Sequence, residues 1–255
     1  MVLQNCDPKW PWRLAATSCV WPETAAVNCR RLARTLPEVG LYLLEGTACL
    51  AYGPEDLPRK TYGLRYHAHL PVDLPWPAGG GEAFALVAGL LAKVAHLAPW
   101  GFVLHPPADR AALAAFVTAW QAAGHDPADV LLENTETASP GDVLALAGAL
   151  GCSVCLDLGH MLAMGHALPE DESALAAAVR MFHVYAPYGE EGPPPGRTHV
   201  HRPLQHLAPE GRDILVWMLG HLRPETIVVE VFAPNHLLES LAVLNALIAS
   251  VEAGS

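Results

Sequence analysis

The chain has 255 residues, 52% of them apolar, enough for a sizeable core and too apolar for a disordered chain. Its formal charge is −11 with the histidines neutral, which excludes the basic surface that general nucleic-acid binding requires. No apolar run long enough for a membrane span is expected, MVLQNCDPKWPWRL does not read as a secretory leader, and six cysteines scattered from Cys6 to Cys155 form no secreted disulfide framework, so a cytoplasmic protein is expected.

Short apolar strands recur along the whole chain. RLAATS (13–18), GLYLLEG (40–46), RYHAHL (65–70) and GFVLHPP (101–107) come first. DVLLENTE (129–136), SVCLDLGH (153–160), MFHVYAP (181–187) and TIVVEVF (226–232) follow. Helical stretches separate most of them. EAFALVAGLLAKVAHLA (82–98) and DRAALAAFVTAWQAAG (109–124) are rich in alanine and leucine. SPGDVLALAGALG has Ser139 as an N-cap, Pro140 in the first turn and Gly151 as a stop. NHLLESLAVLNALIASVEA (235–253) reads as a closing helix, and PEDLPRKTYG as irregular. Eight strands alternating with helices over about 250 residues predict a single-domain (β/α)8 barrel across 1–255. A doubly wound open sheet is the alternative; it more often opens with a glycine-rich turn, and AATSCVWPET has none. One long connection, YGEEGPPPGRTHVHRPLQHLAPE, follows the seventh strand, and Pro193, Pro194 and Pro195 exclude regular structure in it.

The strand ends carry the chemistry. His67 and His69 lie on the third strand, His105 ends the fourth, and Glu133 lies on the fifth. Asp157 ends the sixth with His160 just beyond, His183 lies on the seventh, His199 and His201 on its loop, and Glu230 on the eighth. Asp157 stands in an apolar strand, and a buried carboxylate without a partner costs several kcal/mol. Each residue alone has an ordinary reading: a hydrogen-bonded histidine, a solvated Glu133, an Asp157 that caps a helix. Their succession on six strands, all converging on one barrel mouth, points instead to a metal site. Histidine and carboxylate ligands suit zinc, manganese, iron or cobalt.

His67 and His69 share a strand face, so one stands behind the other. Glu45, at the end of the second strand, either touches substrate or pairs with a lysine. Trp76 either flanks the mouth or packs in the core. His96, His166, His206, His221 and His236 fall in helices or loops and read as surface residues. Cys152 and Cys155 have a CxxC spacing, but the pair lies within a strand with its sulfurs on opposite faces, and reads as core.

In order along the chain, HLP, LHPP, LLENTE, LDLGH, FHVYAP, HVH and VVEVF resemble the xylose isomerase-like barrel superfamily, over residues 13–250. That superfamily includes sugar-phosphate isomerases and epimerases as well as the endonuclease IV type of nuclease. For the isomerases and epimerases the resemblance implies one divalent ion on Glu133, Asp157, His183 and Glu230, the two glutamates moving a proton at a carbon beside a carbonyl. For the hydrolases it implies up to three ions, with His69 and His105 joining Glu133 at a second ion and His160 and His201 holding a third. The sequence departs from the hydrolase pattern at His199, where the family has Asp, which puts the third ion in question. The surplus histidines favour hydrolysis, because a single-ion isomerase has no use for His69, His105 and His201 together.

LAATSCVWPETAAVNCRRLA, LYLLE, YHAHLPVDLPW and HVYAP…HVHRPLQHL look like the cobamide-remodelling phosphodiesterase branch of the superfamily. The expectation is therefore a metal-dependent phosphodiesterase with two or more divalent ions. Its substrate is a small-molecule phosphodiester, a cobamide first, with no nucleic acid or membrane as partner. His67, Glu45, Trp76 and His199 are the candidates for substrate contact. The alternative is a sugar or sugar-phosphate isomerase or epimerase using Glu133 and Glu230 as its acid–base pair, and a binding-only barrel is the third class.

Overall fold

A computed structural model describes residues 12–189, 192 and 195–254. Cys6 and the N-terminal segment, and Glu190, Glu191, Pro193 and Pro194 of the long connection, on which some of these expectations fell, lie outside the described residues.

Eight parallel strands close in sequence order: β1 (Arg13–Thr17), β2 (Glu38–Tyr42), β3 (Arg65–His69), β4 (Phe102–Leu104), β5 (Val130–Glu133), β6 (Ser153–Asp157), β7 (Val179–Val184) and β8 (Thr226–Val229). Pairing of Leu14 with Ile227 and Ala16 with Val229 joins the last strand to the first, so the fold is the (β/α)8 barrel and not the open sheet. The helices are α1 (Ala25–Leu32), α2 (Gly46–Leu50), α3 (Gly80–Val94), α4 (Arg110–Ala122), α5 (Pro140–Leu150), α6 (Leu158–Met164), α7 (Glu172–Ala178), α8 (Pro209–His221) and α9 (Pro234–Gly254).

Local chemistry sets the helix starts. Asp109 accepts from the amides of Ala111 and Ala112 at the head of α4, and Ser139 with Asp142 forms a reciprocal capping box on α5. Gly151 ends α5 in the left-handed region at φ 72°. The segment Gly80–Leu97 is long and apolar enough to cross a bilayer by length and composition, against the sequence expectation. In the fold its stripe Ala83, Val87, Leu90 and Val94 is buried instead, and α3 lies against α4. A side chain at Gly80 would meet the Ala112 carbonyl at 2.0 Å, so that glycine permits the close approach of the two helices.

The period of two along each strand sorts the barrel into layers. Outward residues such as Val39, Tyr66, Leu104, Leu132, Leu156, Phe182 and Ile227 pack beneath the helices. Ala15, Val103, Leu131, Cys155, Met181 and Val228 point inward and form one apolar layer. Burial pushes the Cys155 thiol up to about 12, which leaves it a protonated filler of that layer. Cys152 packs on the outer side, as its offset predicts, and the cysteines among the described residues are free thiols.

The layer below, at the amino ends of the strands, is polar. Glu38 is fully buried and accepts from Trp100 Nε1 at 2.8 Å and Thr226 Oγ1 at 3.0 Å, and it faces His67 Nδ1 at 2.8 Å. Arg65 and Arg180 lie over the Trp100 ring at 4.2 and 4.9 Å and both pair with Glu225. This plug fixes the end of the barrel where stability resides and leaves the opposite mouth for chemistry.

Candidate metal centre

Two residues beyond the apolar layer, the strands present Thr17, Tyr42, His69, His105, Glu133, Asp157, His183 and Glu230 at the carboxyl mouth. The sheet register places Asp157 beside His183. Glu133, Asp157, His183 and Glu230 are buried, and one ligand atom from each lies within 4.8 Å of the others. His69, Glu133 and His183 form a second such group, and His105, Glu133 and His160 a third.

Glu133 is the hinge of the arrangement. Its Oε1 lies 2.7 Å from His183 Nδ1, while Oε2 lies 3.0 Å from His105 Nε2 and 3.2 Å from His69 Nε2. One carboxylate thus turns a separate oxygen to each side of the site. His69 donates from Nδ1 to the Leu70 carbonyl at 2.9 Å, which fixes the ring and leaves the Nε2 lone pair free to ligate. His183 Nδ1 also faces Glu230 Oε2 at 3.4 Å and Asp157 Oδ2 at 3.8 Å.

The backbone around Asp157 is held by Asn134, whose amide accepts from the Asp157 N–H and donates to its C=O, each at 2.8 Å. Asp157 caps α6 by accepting from the His160 amide with Oδ1 at 2.6 Å. Its Oδ2 is buried without a hydrogen-bond partner, as are Glu230 Oε2 and His160 Nδ1. Such groups are uncommon in a native interior and mark a place for a ligand. The electrostatics agree. Burial first, then the neighbouring Glu133 and Glu230, drive the Asp157 carboxyl well above the ordinary range. Burial acts against ionisation of Glu133 and Glu230 too, yet the imidazoles, His183 foremost, hold both well below it. Burial holds the His160 imidazole down at about 4, so it is a neutral donor at neutral pH. Three carboxyl groups and several imidazoles converging in a buried cup are a fitting donor set for divalent cations.

The mouth has a second ring of residues. An antiparallel bridge between Ala186 and Arg202 folds the loop after β7 back over the barrel and brings His199 and His201 to it. Glu136, His160 and His199 then form a further group able to hold an ion, with Glu136 Oε1 3.4 Å from His199 Nδ1 and Oε2 3.9 Å from His160 Nδ1. His201, expected to join His160 at a third ion, is in none of these groups. His201 lies 3.7 Å from Glu230 and packs on Tyr185, with ring centroids 4.0 Å apart. The Tyr185 ring passes so close to Gly159 that a side chain there would meet it at 2.1 Å, which gives the glycine of LDLGH its reason.

The residues proposed for substrate contact fare differently. His199 stands at the mouth. His67 is buried one layer below His69 and turned to Glu38, out of reach of anything at the mouth. Trp76 packs on Phe116 of α4, the core placement, with centroids 5.6 Å apart. Glu45 is exposed at the start of α2 and makes no capping bond. Sequence reasoning passed over Glu136, Asn134, Tyr42 and Phe232. Tyr42 crosses the mouth, its ring 4.9 Å from His69 and 6.3 Å from the exposed Phe232. The signal for Tyr42 was its place two residues after Gly40 on an inward-facing strand edge.

No family model matches the chain, and no curated protein matches it. Solved structures do. A D-tagatose 3-epimerase-like protein superposes with a TM-score of 0.70 at 14% identity, covering 95% of this chain and 99% of the other. The probable 3-DHS dehydratase AsbF of Bacillus anthracis gives 0.66 at 11% identity over 91% and 98% of the chains. SacUVDE gives 0.56 at 11% identity over 92% and 99%. At these identities the likeness is one of fold.

Proposed function

We propose that the chain is a metal-dependent phosphodiester hydrolase that holds two or more divalent ions. The observation that carries this reading is Glu133, whose two oxygens face two different sets of donors, His183 on one side and His69 with His105 on the other. Ions bound there would acidify water and neutralise charge on phosphoryl oxygens. The protein's part is to fix their spacing through Glu133 and to present His69 as the Nε2 donor. Asp157 and Glu230 supply the remaining charge, and the apolar layer beneath shuts out water from below. Phosphodiesters small enough to enter the mouth are the substrate class, and the sequence resemblance makes a cobamide the first to test.

A second reading has its own support. Glu133, Asp157, His183 and Glu230 alone complete a one-ion site, and several of the superposed structures are sugar 3-epimerases. In that reading the Glu133 and Glu230 carboxylates exchange a proton with a carbon beside a carbonyl. Those structures weigh toward the epimerase; the extra imidazoles around Glu133 weigh toward the hydrolase. Elemental analysis separates the two, with two or more equivalents expected here and one for an epimerase. Incubation with a cobamide and with bis(p-nitrophenyl) phosphate should release a cleaved ester. A single bound equivalent, no ester cleavage, and solvent deuterium entering a ketose would overturn the hydrolase reading.

A further inference from the structure

Beside the metal centre, on the same face, a cavity of about 580 Å³ opens between the ends of β1 and β2. Trp21, Tyr42 and Tyr52 line it, with Glu23 and Asp56 also in its wall. Its volume falls within the range of small-molecule sites. Tyr42 belongs to both places: it lines the cavity, and its ring lies 4.9 Å from His69. The Tyr42 hydroxyl is buried without a hydrogen-bond partner. Among the described residues, no lysine or arginine lines the cavity. Nearby Arg31 is paired with Glu23 at 2.5 Å and lies over the Trp21 ring at 5.3 Å. Asp56 is turned to the Gly53 amide at 2.8 Å.

These walls choose a chemistry. Three aromatic side chains contribute to the wall, and stacking on aromatic rings is what planar groups gain most from. Among the described lining residues two are carboxylates, Glu23 already paired with Arg31, and none is a cation, which disfavours a second phosphate or carboxylate. We propose that the cavity binds a planar, uncharged or cationic heteroaromatic group of the substrate, stacked among Trp21, Tyr42 and Tyr52, with the scissile ester on the metal side of Tyr42. The position of the ester rests on the hydrolase reading; the ring site does not.

The test is calorimetric titration of the full chain, metal-loaded and after chelation, with benzimidazole and adenosine as probes and ribose 5-phosphate as the anionic control. Saturable binding of at least one ring probe is expected in both forms, with none for ribose 5-phosphate in the chelated form, where no metal can hold its phosphate. Trp21→Ala should weaken it at least about tenfold, the scale of one lost stacking face. Ala25→Trp, which fills the cavity from another wall, should abolish it, and covers the case in which Trp21→Ala does not fold by circular dichroism. Absence of saturable ring binding at millimolar concentration, tighter binding of ribose 5-phosphate to the chelated form, or ring binding unchanged in both variants would overturn the proposal. Ring binding in a protein that cleaves no phosphodiester would leave the cavity assignment standing and remove the hydrolase reading.

Discussion

Replacing Glu133 by glutamine tests the centre at its most connected atom pair. The substitution keeps the shape and removes one negative charge that faces three imidazoles at 2.7, 3.0 and 3.2 Å. Loss of an outer partner of a metal ligand already costs about 10–100-fold in affinity. A direct ligand shared by two donor sets should cost at least the upper figure for each ion, or about 2.7 kcal/mol. At a free metal concentration about 100 times the wild-type Kd, each ion stabilises the fold by about 2.7 kcal/mol, and in the variant this falls to about 0.4 kcal/mol. For a domain of this size the lost 2.3 kcal/mol or so corresponds to about 5–9 °C in Tm per ion. Differential scanning calorimetry with and without added metal reads it directly. In the chelated protein the same change relieves the pressure on Asp157 but also removes the carboxylate that His183 and His105 face, so the quantity to compare is the metal-induced rise in Tm of each protein and not its chelated stability. A variant with the full metal-induced rise in Tm, or one that loses as much stability when chelated as when loaded, would refute the bridging role.

Glu136→Gln and His199→Ala should each lower the metal content by at most one equivalent and spare the ions that depend on Glu133, as elemental analysis after dialysis would show. Trp100→Phe removes the N–H that Glu38 accepts at 2.8 Å, and should cost about 1–3 kcal/mol in urea unfolding with kcat unchanged. Gly159→Ala drives a methyl into the Tyr185 ring and should cost about 1–3 kcal/mol by overpacking, with activity falling as Tyr185 moves from beneath His201. Burial opposes the ionisation of Glu38 and Glu225, but His67 and Trp100 for the first, and Arg65 and Arg180 for the second, hold both below the ordinary glutamate range. A carboxyl depressed in the folded state stabilises above its unfolded pKa, and that contribution is lost as pH falls through the folded value. The urea midpoint of the chelated protein should therefore drop on acidification below the ordinary glutamate range, and drop less in Glu225→Gln.

The barrel and its polar mouth were legible because both follow from periodicity. Eight apolar segments with helical connections point to a parallel sheet of barrel size, and once that sheet closes the carboxyl ends of its strands meet. Glu133, Asp157, His183 and Glu230 could be named as strand-end groups on that ground, while their grouping at one ion was what the resemblance implied. His67 shows where the same rule runs out. It obeys the period and faces inward as His69 does, yet it sits one layer lower and is turned to Glu38. The rule of two gives the face, but the strand stagger gives the depth, and stagger is a property of the closed sheet that no single strand encodes.

Residues off the strands were less legible for a related reason. Trp76 lies on a short turn before α3, and whether it faces the mouth or the helices depends on how α3 and α4 pack, which Gly80 settles through a contact with a carbonyl more than thirty residues away. Glu136 lies three residues beyond Glu133, past the strand, where it reads as a solvated terminus. It becomes a ligand candidate only because the bridge at Ala186 and Arg202 returns His199 to the β5 side of the mouth. That bridge also alters the meaning of the one departure from the hydrolase pattern. A histidine at 199 supplies no negative charge, and Glu136 supplies one from a different strand to the same group. The charge needed for a third cation can thus be conserved in space while it moves in sequence, so counting acids along the seventh-strand loop alone misjudges what this mouth can hold.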